Sequence, residues 1–568
     1  MKSAILKSGR FLALVASGMW LAAAAFAAAP GITGTTFNLT AQPAFLNQPD
    51  GESVYSWGYG CNGAPTGFAP TLPNQTCPTM QVPGPTLIVT EGQTVTVVLT
   101  NGLPTAVGNT SILFPGFTVT ATGGVTGLLT NEAAPGGTVT YSFTASSPGT
   151  HAYYSGTQGD LQIEMGLYGA VVVLPKTVPA NCDAGYHPLN SAAKAHWGEG
   201  DYRLAHAAYD HPGTCYDREY LFQWAEMDAR IHRQALAQVT ALTGCTAGVA
   251  GCSLDVQTEP YHPAYFLING RSMPDLMDPN FAGEYPHQPY NANPHMHPGE
   301  LTLIRTIGQG RWQHPFHEHA NHVRILARDG NLVLTPTAGA CSTTPLPAGC
   351  VSYTSGLSGD TAVPAPGLAG LLMFNTDTTP GESFDGIFYF TGRGLNWDPY
   401  GHHPVSSSKD PLAILPCTPD VNGYNTLGTS YTQVNFFEWC QDHNKPVQVN
   451  PFGDVPAGGP ATLPDPNVFT NGAWYGGSPY LGPDATLRGN APACVGNPYG
   501  IAPGNPAAAN CTNLQPANLQ LNPANERGWA FMWHSHNERE ITTNNVFPGG
   551  MLMMMLVDSR EFVIDETL

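Results

Sequence analysis

The sequence predicts an all-β protein of two β-sandwich domains, the second interrupted by a long insertion. Three observations carry that reading. Segments of alternating apolar and polar residues recur in both halves of the chain, and in a strand alternate side chains share a face. Glycine (64) and proline (52) are abundant among the 568 residues, which suits many turns and long loops. From 395 to 525 the periodicity gives way to Pro, Gly, Asn and Ala, the composition of an inserted segment.

The elements follow in chain order. Residues 1–27 read as an export leader: Lys2, Lys7 and Arg10, then the apolar run Phe11 to Ala25, then the small residues around Ala27. No later stretch is long and apolar enough to span a bilayer. The mature chain is therefore expected in the periplasm, outside the cell or on its surface, without a transmembrane segment. Residues 28–178 form the first sandwich. A strand, a turn at Glu91-Gly92 and a second strand lie within Val82 to Asn101, followed by strands at Thr138 to Phe143 and Tyr168 to Leu174. Residues 179–214 read as a linker. Residues 215–568 form the second sandwich, with strands at 219–224, 265–270, 300–305, 322–326, 383–390, 529–534 and 551–557. One helix is expected within Trp224 to Leu242.

Charge and cysteine content narrow the function. Only 11% of residues are charged, against roughly 25% in ordinary soluble proteins. The net charge of -20 lacks the basic face that nucleic acid or an anionic membrane requires. Twelve cysteines fit an oxidising compartment. They fall into neighbours along the chain: Cys61 and Cys77, Cys182 and Cys215, Cys245 and Cys252, Cys341 and Cys350, Cys417 and Cys440, Cys494 and Cys511. Neighbour disulfides are expected, although spacing alone does not fix connectivity.

Two histidine clusters carry the chemistry: His314-Pro-Phe-His317-Glu-His319 and Trp533-His534-Ser535-His536. Strand alternation points His317 and His319 one way, and His534 and His536 can join them from a neighbouring strand. Four converging imidazoles suit copper or zinc. The bland alternative is four histidines hydrogen-bonded in an interface. His314 and Ser535 face the other way and are expected to lie together as a hydrogen-bonded pair. If the second strand continued, Glu538 and Glu540 would share the face of its histidines, making Glu540 an added ligand suited to manganese, iron or zinc. The spacing from Gly528 through His534, His536 and Glu540 also fits a cupin metal motif, but no second such motif accompanies it. His287, His295 and His297, and likewise His402 and His403, are expected in solvated loops. Met551 to Met555 reads as a buried strand.

These residues resemble the multicopper oxidases, which are built from cupredoxin domains. Val82-Pro-Gly-Pro-Thr86 with Glu91-Gly92 is similar to the family's opening strands. Pro148 to Thr150 and Gly166 to Ala170 are similar to the end of its first domain. The two histidine clusters resemble its third and fourth copper motifs. The resemblance implies two cupredoxin-like Greek-key sandwiches. Family members hold three coppers on eight histidines in four His-x-His pairs, and a blue copper on one Cys and two His. Here the first pair falls at Leu113 and Pro115 and the second at Tyr154 and Gly156. The blue-copper cysteine is Ser535, and its second histidine is Glu540. Met551 stands as a remnant of the axial position.

The resemblance thus implies an oxidoreductase-type protein with a reduced copper site at His317, His319, His534 and His536. Fewer copper ions than usual are expected, with Mn, Fe or Zn as alternatives, and a small molecule or metal ion as reductant. The four-electron oxygen reduction of a laccase is not expected. The alternatives are a metal storage or delivery protein, and a surface structural or interaction protein that has lost its copper.

Overall fold

The computed structural model describes residues 29–69, 76–182, 201–297, 300–335, 341–353, 363–390, 418, 477–480, 528–558, 564 and 566. The leader, His402, His403 and most of the 395–525 insertion lie outside these residues.

The first unit consists of two five-stranded sheets. Its strands are β1 (Gly31–Thr33), β2 (Thr36–Asn47), β3 (Ser53–Cys61), β4 (Phe68–Ala69), β5 (Leu87–Thr90), β6 (Thr94–Asn101), β7 (Thr120–Gly123), β8 (Thr138–Thr144), β9 (Gly149–Tyr154) and β10 (Tyr168–Leu174). One sheet runs β9-β10-β5-β1-β4 and the other β3-β2-β6-β8-β7. In β6 the residues Val95, Val97 and Leu99 are buried while their neighbours are more open, as half-buried strands require. They pack with Leu39, Trp57, Tyr59, Tyr141 and Tyr153 into one core. The turn between β5 and β6 is made by Gly92, whose φ of 82° suits glycine.

The second unit has strands β11 (Arg218–Met227), β12 (Tyr265–Ile268), β13 (His295–Met296), β14 (Leu301–Gly308), β15 (His314–Glu318), β16 (Val323–Arg328), β17 (Asn331–Leu332), β18 (Asn375–Thr378), β19 (Ser383–Tyr389), β20 (Gly477–Tyr480), β21 (Gly528–Ser535) and β22 (Leu552–Asp558). One sheet runs β12-β11-β14-β19-β16-β17 and the other β13-β22-β21-β15-β18, with β20 also on β21. Trp224, Phe316, Phe388, Trp533, Met551, Met553 and Met555 fill the core between them. The chain is therefore nearly all-β, with two sandwich units.

The expected helix is α1 (Ala229–Ala241), capped by Asp228, whose side chain accepts from Arg230 N at 2.9 Å. It follows β11 of the second unit, yet Ile231 and Ala235 pack into the first unit's core. A buried polar joint adds to this contact. Thr150 of β9 donates from N and Oγ1 to Asp385 of β19 at 3.1 and 2.6 Å. Arg305 pairs with Glu219 at 2.9 Å and approaches Asp385 at 3.7 Å.

Two segments gain detail and one expectation changes. Within the expected linker, Tyr209 is buried and its hydroxyl donates to Asp385 at 2.5 Å. The insertion contributes β20, which pairs with β21 from Gly477↔Phe531 to Tyr480↔Gly528. His295 and Met296 form β13 on the last strand, not a solvated loop.

Cys61–Cys77, Cys182–Cys215, Cys245–Cys252 and Cys341–Cys350 are disulfides. Their Cα atoms stand 5.8, 5.1, 5.5 and 5.5 Å apart, within the usual bridging range. The expected pairs among Cys417, Cys440, Cys494 and Cys511 lie outside the described residues.

Candidate metal centre

Strands β15 and β21 run antiparallel with His317 opposite His534 and Phe316 opposite Ser535. This register gives the pair two chemically different faces. Phe316 and Trp533 point into the core. On the opposite face, ligand nitrogens of His317, His319 and His534 all lie within 4.8 Å of one another. His319 Nε2 and His534 Nε2 are 3.2 Å apart. Two nitrogens bound at ~2.0–2.1 Å to one tetrahedral ion stand about 3.3 Å apart, so the pair suits a shared metal.

His536 is looser. Its ring centroid lies 4.8 Å from that of His317 and 5.5 Å from that of His534. Its side chain is 51% exposed, and its Nδ1 is 3.9 Å from Glu538. It borders the three-histidine group from the solvent side.

The protonation of the group favours metal binding. Burial, and then the charges of His319 and His534, push His317 down to about pKa 3. Burial also lowers the pKa of His534. Neutral imidazoles keep the lone pair that a metal needs. His534 Nδ1 donates to Ser535 O at 2.7 Å, which leaves Nε2 to face His319. Such a bond orients a metal-binding imidazole and selects its tautomer.

The core-facing side of the same strands carries the opposite chemistry. His314 is fully buried between two carboxylates. Its Nδ1 is 2.8 Å from Glu540 Oε2 and its Nε2 is 2.9 Å from Glu226 Oε2. Burial opposes its charge, but hydrogen bonds to Glu226 and Glu540 outweigh burial and raise its pKa to about 9. Ser535 Oγ donates to Glu540 Oε2 at 2.5 Å. Glu226 Oε1 also accepts from Arg311 N at 2.7 Å and Trp312 N at 2.9 Å. The Tyr261 hydroxyl lies 2.6 Å from Glu164 Oε2 and 3.1 Å from Glu226 Oε1, and its one proton serves one carboxylate at a time. Gly310, at φ 71°, leaves room here: a Cβ would lie 2.5 Å from Glu226 Oε2.

Glu540 therefore does not share the face of the histidines. β21 ends at Ser535 and the chain turns, so Glu540 comes back beneath Ser535. Met551 lies beside this array, donating from N to Glu540 O and accepting from Ser535 N through its carbonyl. Its side chain is in the core. Glu226, Glu164 and Tyr261 were not singled out from sequence. An acid amid the apolar run of β11 was the available signal, because a buried carboxylate needs a partner.

The positions that the resemblance matched to the missing His-x-His pairs carry other side chains in the first unit. Leu113 and Tyr154 form a bridge, with Leu113 N donating to Tyr154 O at 2.7 Å. Gly156 lies under Leu113, where an added Cβ would come within 2.8 Å of Cγ. Leu113 and Pro115 are half-buried.

His287, His295 and His297 are held elsewhere. His287 Nδ1 contacts Met80 O at 2.8 Å. His295 Nδ1 pairs with Asp558 Oδ2 at 2.6 Å, and His297 Nδ1 meets Asp558 O at 3.2 Å. His297 is buried, which corrects its expected place in a solvated loop.

Residues 75–178 match the family model for multicopper oxidase. No curated protein sequence matches the chain. Among solved structures, the blue copper oxidase from Nitrosomonas europaea is 13% identical, over 92% of this chain and 85% of that one, with a TM-score of 0.39. The copper nitrite reductase from Nitrosomonas europaea is 18% identical, over 63% and 84%, with a TM-score of 0.35. The multicopper oxidase mgLAC is 17% identical, over 62% and 74%, also at 0.35.

Proposed function

We propose, taking residues 75–178 as a multicopper oxidase domain, that the chain is an exported protein of that type reduced to a single His-bound copper site. His317, His319 and His534 would hold the ion, with His536 at its open side. The observation that carries this is the convergence of three ligand nitrogens within 4.8 Å, with His317 held neutral by burial. Bound copper would supply one-electron redox chemistry there. The chain's own residues orient the imidazoles, and burial favours the neutral form of His317 and His534. Zinc fits the same donors; copper is preferred on the family resemblance.

The function follows from what the opposite face lacks. With Ser535 in place of a thiolate and both His314 nitrogens engaged, no second copper is expected behind the cluster. Laccase-type four-electron reduction of oxygen is therefore not expected.

A second reading, metal storage or delivery, is favoured by one observation: His536 is half exposed beside the buried group, so an ion there has a ligand at the solvent edge for exchange.

The deciding experiment is metal analysis of protein exported to the periplasm with copper supplied. About one ion per chain is expected, and a protein that retains none after desalting sinks both readings. Turnover with a phenol, Mn(II) or Fe(II) then separates oxidoreductase from carrier.

A further inference from the structure

The described residues hold a further concentration of buried ionisable groups, back to back with the metal centre. Its spine is Glu226–His314–Glu540. Ser535 and Asn537 complete it at one end: Asn537 Nδ2 donates to Glu540 Oε1 at 2.8 Å. Glu164 and Tyr261 complete it at the other. These residues come from separate places in the chain. Glu226 is on β11, His314 opens β15, Ser535 ends β21, and Glu540 lies in the turn that follows. Glu164 belongs to the first unit and also accepts from Asp228 N of the second at 2.6 Å.

Two of the tied positions are fixed neighbours of metal-centre residues. Ser535 lies between His534 and His536 in sequence, and its carbonyl accepts from His534 Nδ1 at 2.7 Å. His314 shares β15 with His317, and Thr378 Oγ1 donates to the His314 carbonyl at 2.9 Å. His536 N donates to Pro315 O at 2.8 Å. The array thus holds both strand ends from behind while the imidazoles project forward.

We propose that the Glu226–His314–Glu540 array, acting through Ser535, is the positioning device of the metal centre. It sets the Ser535 peptide so that His534 presents Nε2 toward His319. The array would act here by charge-assisted hydrogen bonds, which are short and directional. A metal at the same place would cross-link the same strand ends, and the protonated His314 does so without one. The proposal rests on the metal-site reading, but it predicts an effect in metal-free protein as well.

The test compares Ser535→Ala, Ser535→Thr and His314→Gln with the unaltered chain. Protein labelled with 15N at histidine is studied first without metal. In the unaltered chain His534 should show one tautomer, with Nδ1 protonated and Nε2 bare. Ser535→Ala and His314→Gln should average it between tautomers, while Ser535→Thr, which keeps the hydroxyl, should preserve it. Zn(II) titration should then show affinity about 10- to 100-fold weaker in Ser535→Ala and little changed in Ser535→Thr, as for lost outer contacts of metal ligands. If His314→Gln does not fold, the Ser535 pair decides. An unaltered His534 tautomer and unaltered Zn(II) affinity in folded Ser535→Ala would overturn the proposal. Failure of the unaltered chain to bind Zn(II) or copper would refute the metal reading, and the metal-free spectra would still decide the positioning role.

Discussion

The two faces of the β15–β21 strand pair use the same residue type in opposite ways. On one face His317 stands among other imidazoles and is pushed down to about pKa 3 by burial and by its neighbours' charge. On the other, His314 is buried just as deeply, yet two carboxylates raise it to about 9. Burial disfavours the charged form of both side chains. The difference lies in the partners: like-charged or neutral rings cannot offset that cost, whereas Glu226 and Glu540 can. One face is thereby suited to a cation from outside, and the other already contains its own.

The largest break in this comparison should come from the metal face. His317→Ala or His534→Ala should remove nearly all bound metal, measured per chain after desalting. His402→Ala, outside the described residues, should leave metal content unchanged. Equal metal in all three variants would show that the ion is held elsewhere.

Next in size is loss of the internal cation. His314→Leu leaves Glu226 and Glu540 buried without a counter-charge, which costs about 3–5 kcal/mol. Urea unfolding should show this as a lower midpoint. Adding Glu226→Gln and Glu540→Gln to His314→Leu should recover part of the loss, since the variant then buries no unpaired charge.

The two faces should also appear as two limbs of the stability–pH curve of metal-free protein. His314 has a folded pKa of about 9 against an ordinary 6.5. The fold binds its proton more tightly than the unfolded chain does, so this stabilisation is complete below pH 6.5 and is lost as pH rises through 9. His317 has a folded pKa of about 3 against 6.5. The unfolded chain binds that proton more tightly, so stability falls as pH drops from 6.5 toward 3. Each limb can slope by at most about 1.4 kcal/mol per pH unit. His314→Gln should flatten the alkaline limb, and His317→Ala the acid limb. Melts at a series of pH values would show whether each substitution acts on its own limb.

The smallest effect is expected from Ser535→Cys. Supplied with copper, this variant should remain without intense blue absorption, because Glu226 and Glu540 occupy both nitrogens of His314. Strong visible absorption would mean that the array yields readily to a metal.

Much of the architecture was legible because it rests on local pattern. The strand at Tyr168–Leu174 coincides with β10, and the turn at Glu91-Gly92 joins β5 and β6. The segment 219–224 lies inside β11. The divergence of His314 from His317 was also readable from strand alternation. Less was legible where the chain leaves regular structure. Glu540 was placed with the outward histidines by extending β21, but the strand stops at Ser535 and the turn reverses its direction. His295 and His297 lie in a Pro- and Asn-rich stretch that looks like a loop, and only the free edge of β22 makes a strand of it.

The sequence by itself determined the all-β class, the multicopper-oxidase resemblance and the presence of Ser535 between His534 and His536, because periodicity and residue identity are properties of the chain read in order. The partners of those residues were decided only by the tertiary structure. Glu226 meets His314 across 88 residues, and Glu540 across 226. Contacts of that kind depend on how sheets stack and where turns reverse, and no local spacing encodes them. The protonation of each histidine follows from those distant neighbours, so two histidines three positions apart on one strand acquire opposite chemistry.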